Sequence, residues 1–142
     1  MIAGRSRIAA RVERLDWHAL VAALRDFGWA RTGAPLLSPE ECADLIALYS
    51  DDSRFRSRVD MERFRFGAGE YKYFADPLPP LVKELRARAY PYLAGIANEW
   101  MKVLGSRRCF PPTLGGLLAA CRRRGQTKPT PLLLRYATGG YN

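Results

Sequence analysis

Residues that could carry chemistry are few in this chain and poorly spaced for it. Histidine occurs once, at His18. A redox iron held by two imidazoles and a carboxylate on one side needs two, so this chain alone assembles no such site. His18 follows Trp17 with no second ligand three or four residues away, the pattern of a surface or structural histidine. The cysteines, Cys42, Cys109 and Cys121, are odd in number and far apart, and form no C-x-x-C pair. They read as reduced, mostly packed thiols and not as metal ligands or disulfide partners. No residue declares itself catalytic or metal-binding. Two constellations remain. Tyr71, Tyr73 and Phe74 could stack bases if interleaved with Arg63, Arg65 and Lys72, although ordinary hairpin side chains covering a helix layer are the favoured reading. The other is the C-terminal stretch, where an apolar run meets Arg135-Tyr136, a glycine turn and Tyr141-Asn142.

The elements that must position these residues follow from periodicity and punctuation. Apolar residues at helical spacing predict a helix over about 5–27, with Asp16 available to cap a fresh start and Gly28 to end it. A short strand and loop are expected over Trp29–Leu37. Ser38-Pro39-Glu40-Glu41 reads as a helix start, with Ser38 capping, Pro39 at the first helical position and Glu41 closing a capping box. Val59–Phe66 reads as a strand on the alternation of Phe64 and Phe66, Gly67-Ala68-Gly69 as a turn, and Glu70–Phe74 as the returning strand. A helix begins at Leu81, and Pro91 is expected to end or kink it before a second helix over Tyr92–Leu104. Thr113 and Gly125 bracket a further helix, Leu114–Arg124. Leu132–Tyr136 is a strand with Leu132, Leu134 and Tyr136 on one face and Leu133 and Arg135 on the other. Ala137–Gly140 is its turn.

Composition sets the outer limits. The 142 residues, 48% hydrophobic and 26% charged, suit one globular unit with a core. The longest apolar stretches, Ala19–Leu24 and Leu114–Cys121, are too short to span a membrane. Met1–Arg5 leads into charge instead of an apolar signal core, so the expected location is cytoplasmic. The net charge of +9 invites a polyanion, but 19 of the 23 basic residues are arginine in a chain rich in Ala, Gly and Pro, as GC-rich coding also produces. Arg122-Arg123-Arg124 suits a helix C-terminus.

With those residues in place, a family comes into view. Pro131-Leu-Leu-Leu-Arg-Tyr-Ala-Thr-Gly-Gly-Tyr-Asn142 resembles the segment just before the first metal ligand in 2-oxoglutarate- and Fe(II)-dependent oxygenases of the prolyl-hydroxylase-like group. Leu37-Ser38-Pro39-Glu40-Glu41-Cys42 resembles that family's early helix start. Phe66–Phe74, and Pro91 with Ile96–Trp100, are similar to the signature of one bacterial subgroup. The similarity covers about residues 16–142.

The resemblance implies an α+β chain: a helical support layer over about 5–125, plus the first strands of an incomplete double-stranded β-helix, or jelly roll, with the first core strand at about 131–136. Residues 1–142 then form a single unit. It further implies Fe(II) and 2-oxoglutarate as cofactors of the complete family member, with dioxygen and the keto acid giving succinate and a hydroxylated product. Tyr136 would lie near the co-substrate pocket and Tyr141 beside the entrance to the metal site. Arg135, on the opposite strand face from Tyr136, is not the co-substrate anchor. The His-x-Asp pair, the distal histidine and the late basic residue are absent from this sequence, so it reads as a truncated chain, inactive alone and expected to bind neither cofactor by itself. The substrate is unread. A small basic module for nucleic acid or another partner, and a split subunit completed by another chain, stay open. No membrane partner is expected. An apolar strand face and an unpaired strand edge at the C-terminal end predict marginal stability or association through that end.

Overall fold

The computed structural model describes residues 7–142, so the helix start expected at residue 5 and the N-terminal charged segment lie outside the described residues. The chain is α+β, with five α-helices and one three-stranded antiparallel sheet among the described residues. The described residues divide into two compact units, residues 7–38 with 83–127 and residues 39–82 with 128–142.

The first unit is helical. Helix α1 is Arg7–Glu13 and α2 is Trp17–Phe27. Asp16 separates them, accepting from Ala19 N at 2.9 Å, and Gly28 closes α2 in the left-handed conformation that favours glycine. What periodicity presents as one helix is therefore two. The expected strand in Trp29–Leu37 does not form: a tight turn at Thr32–Ala34, closed by Ala34 N to Thr32 O at 2.7 Å, breaks any ladder.

Helix α4, Pro80–Val103, runs unbroken through Pro91, contrary to expectation. A proline inside a helix costs about 3 kcal/mol, and packing on its far side offsets this. Tyr92 stacks flat on Trp17 with centroids 4.1 Å apart, and Ala94 and Ile96 are buried. Trp17 is fixed in turn by its indole N–H, which donates to Val12 O at 2.9 Å. The Asn98 amide clasps Phe110, donating to its carbonyl at 3.0 Å and accepting from its N–H at 2.7 Å. That clasp leads the chain into α5, Leu114–Arg123, which Thr113 caps through Gly116 N.

The second unit contains α3, Pro39–Leu48, and strands β1, Phe55–Asp60, β2, Glu70–Phe74, and β3, Leu132–Arg135. The order is β1-β2-β3, with β2 central and β3 at an edge. Phe74 and Met61, each 1% exposed, are core anchors; Phe55 stacks on Phe74 with centroids 4.9 Å apart. The strand expected at Val59–Phe66 forms earlier and stops at Asp60. Its carboxylate accepts from Glu62 N at 3.1 Å, and Met61 O accepts from both Phe64 N and Phe66 N. The chain thus coils around the buried Met61 into one 3-10 turn, Glu62–Phe64, and Phe64 and Phe66 end 53% and 56% exposed.

Candidate functional site

The polar residues of the second unit converge on the central strand. Directly opposed residues of an antiparallel ladder share a face, and the register sets Glu70 against Asp60 and Arg135, and Lys72 against Arg58 and Leu133. Glu70 Oε2 accepts from Arg58 Nε at 2.7 Å and also from Arg58 Nη2, while Arg135 Nη1 lies 3.5 Å from Oε1. The carboxylate is well shielded, its side chain 15% exposed. Burial alone would raise the Glu70 pKa; the Tyr49 phenol and the two guanidiniums outweigh it and hold the carboxyl below its ordinary range. The same carboxylate raises the already high pKa of Arg58.

Tyr49, just past the end of α3, completes this cluster. Its hydroxyl is buried without a hydrogen-bond partner in proper geometry, and the phenol is pushed up to about 12, first by burial and then by the neighbouring Glu70 carboxylate. Lys72 is the buried cation of the unit. Its ammonium donates to Tyr49 O at 2.8 Å and Asp52 Oδ1 at 2.7 Å and lies 4.4 Å from the Tyr49 ring centre.

Two clefts open at the far end of β2. One, about 420 Å³, is bordered by Arg58, Glu70, Arg135 and the turn 137–140. The other, about 410 Å³, is lined by Glu62, Arg65, Phe66, Gly67, Ala68 and Tyr141. Tyr141 reaches it because Ala68 and Tyr141 form an antiparallel bridge.

The two tyrosines singled out in the sequence are not brought together on one pocket. Tyr136 packs its ring on Gly69, where an added Cβ would come within 2.8 Å of Tyr136 Cδ1, and borders an apolar cavity of about 290 Å³ with Leu45, Ile46 and Tyr49. Tyr141 faces the Phe66 cleft and is 66% exposed. Of the proposed stacking aromatics, Tyr71 and Tyr73 meet edge to face at 5.5 Å and Phe74 is core. The exposed arginine–aromatic pairing lies one loop earlier, at Arg63–Phe66. The Glu70 cluster and the buried role of Lys72 went unread, although Glu70 and Lys72 at i and i+2 on one strand already place both on one face.

An oxygenase iron would need two imidazoles. His18 is exposed on α2, in the first unit. Among the described residues no group of three or more His, Cys, Asp or Glu side chains is placed to hold a metal. The donors at hand do not fit a facial iron site.

Residues 69–142, just over half of the chain and including β2, β3 and the whole C-terminal turn, match a family described as "Oxygenase, catalysing oxidative methylation of damaged DNA". The chain belongs to this oxygenase family. An uncharacterized protein of Mycobacterium tuberculosis strain H37Rv, and another of strain CDC 1551 / Oshkosh, are each 38% identical to it over 69 residues. That stretch is 49% of this chain and 30% of each relative, so the match spans less than a third of their length. No solved structure matches the oxygenase chain. None of its helices among the described residues is long and apolar enough to cross a membrane.

Proposed function

We propose that this oxygenase-family chain is the support layer and first core strand of a 2-oxoglutarate- and Fe(II)-dependent dioxygenase that acts on damaged DNA. The observation that supports this most is the joining of β3 to the hairpin. Leu132–Arg135 pairs with β2, and the following turn is tied back by the Ala68–Tyr141 bridge, in a segment that matches the oxygenase family and resembles the lead-in to its iron ligands. Bound iron and 2-oxoglutarate supply the oxidising power in such an enzyme. The present residues do not offer their ligands, so those come from residues outside this sequence or from a second chain. The chain's own part is to hold the Arg135–Tyr141 segment against Ala68 and Gly69, with Tyr136 near the co-substrate pocket and Tyr141 beside the entrance to the metal site. The jelly-roll core would be completed on the free edge of β3.

The test is turnover by the protein as its gene expresses it, isolated with Fe(II). Succinate release from 2-oxoglutarate that rises on addition of damaged DNA supports the reading. Keto-acid consumption indifferent to DNA, or none at all in iron-loaded protein, contradicts it.

A further inference from the structure

We infer that the turn Glu62–Phe66 together with Tyr141 forms a stacking site for an unpaired base of single-stranded DNA, an assignment that rests on the reading of DNA as substrate. The cleft between them is built of the parts such a site needs. Phe66 and Tyr141, 56% and 66% exposed, line it from distant segments of the second unit that the β2–β3 ladder and the Ala68–Tyr141 bridge bring together. Phe64 stacks behind Phe66, with centroids 5.8 Å apart and planes 21° apart, and is itself half exposed. Three large aromatics offered to solvent, two on this turn and one across the bridge, are costly unless something covers them.

Charge selects the occupant. Neither Arg63 nor Arg65 has a carboxylate partner among the described residues, and Arg63 lies over Phe64 at 5.9 Å. Two free guanidiniums flanking stacked aromatics suit a polyanion whose flat groups alternate with phosphates. Glu62, which lines the cleft, would repel a phosphate and accept from a base's exocyclic amino group. The base therefore enters the cleft, and the phosphates run along Arg63 and Arg65. Overall charge, +9, favours the same partner. A paired base keeps both faces stacked in the duplex and cannot enter.

The experiment uses the 142-residue chain and a short single-stranded oligodeoxynucleotide carrying one 2-aminopurine, whose fluorescence falls on stacking. Binding is expected to quench it. Phe66→Leu and Tyr141→Leu keep apolar bulk but remove the ring, and each is expected to weaken affinity roughly five- to hundredfold. Phe66→Tyr retains binding, as does Phe27→Leu, at an exposed phenylalanine of the first unit. Arg63→Gln lowers the slope of log affinity against log salt by about 0.7. Both leucine variants must keep the wild-type melting temperature, as their exposure predicts. Wild-type affinity in both leucine variants, or tighter binding of duplex than of single strand, overturns the site. Succinate release stimulated by damaged DNA would still stand in that case, so failure of the surface and failure of the oxygenase reading are told apart.

Discussion

Ala68 and Tyr141 exchange two backbone hydrogen bonds, Ala68 N to Tyr141 O at 2.8 Å and Tyr141 N to Ala68 O at 3.0 Å. This bridge holds the C-terminal turn on the hairpin and sets Tyr141 across from Phe66. The Phe66–Tyr141 cleft depends on it.

Gly67 makes the bridge sterically possible. Its φ of +135° is one L residues avoid, and a Cβ there would strike the Tyr141 carbonyl oxygen and come within 2.9 Å of Asn142 Cα. Gly67→Ala is expected to cost about 1–3 kcal/mol locally, with amide exchange at Ala68 and Tyr141 accelerated and the β1–β2 amides still protected. Unchanged protection at Tyr141 would contradict the geometry.

Lys72 ties β2 to the loop after α3 through Tyr49 O and Asp52. Asp52 is 88% exposed, so the ion pair itself is screened and weak, and the hydrogen bond to the Tyr49 carbonyl carries most of the effect. Lys72→Met is expected to lower unfolding free energy by about 2 kcal/mol, and Asp52→Asn by less than about 1 kcal/mol. Urea melts of the two variants measure the difference; equal losses would refute the ranking.

Glu70 supplies an acid-side pH dependence. A folded-state pKa held below the unfolded value of 4.5 contributes stability above that pH, and loses it as pH falls through the lower folded value. Glu70→Gln is expected to be weaker than wild type by about 2 kcal/mol near neutrality. The gap should close in acid, in unfolding curves recorded from pH 7 downward. A gap constant with pH would show that the Arg58 and Arg135 contacts do not depend on the charge.

Tyr49 acts at the alkaline end. Its phenol ionises at 10.0 in the unfolded chain and at about 12 when folded, so its contribution is intact below pH 10 and drains away between those values. Its hydroxyl makes no hydrogen bond of proper geometry and only a weak approach to Glu70, so Tyr49→Phe is expected to change stability by less than about 1 kcal/mol at pH 7. The variant should also lose less stability than wild type between pH 10 and 12. A loss above about 1 kcal/mol at neutral pH would reveal a hydroxyl contact of real value.

Local rules account for the elements whose ends are marked by single residues. Asp16, Gly28, Thr113 and Gly125 each stand where a helix begins or ends, Glu70–Phe74 is the strand expected after the glycine turn, and the strand expected over Leu132–Tyr136 forms over Leu132–Arg135. Local pattern misleads where tertiary packing decides. Arg63-Phe64-Arg65-Phe66 alternates like a strand, yet the burial of Met61 coils it into an exposed turn, and Pro91 sits mid-helix because Tyr92, Ala94 and Ile96 are held by their packing. The candidate site was half legible for the same reason. Tyr136 and Tyr141 lie on a recognisable terminal motif, whereas the Glu70 cluster and the Phe66–Tyr141 cleft unite residues some 60 to 80 positions apart, which only sheet register relates.

The most direct test of the central claim is the fate of the oxygen. The gene's own product, iron-loaded and given 2-oxoglutarate and damaged DNA under ¹⁸O₂, is predicted to release succinate carrying the label, in amounts that track oxidation of the DNA. Oxidised DNA with no labelled succinate, or no DNA-dependent incorporation at all, would contradict assignment of this chain to a 2-oxoglutarate-dependent DNA oxygenase.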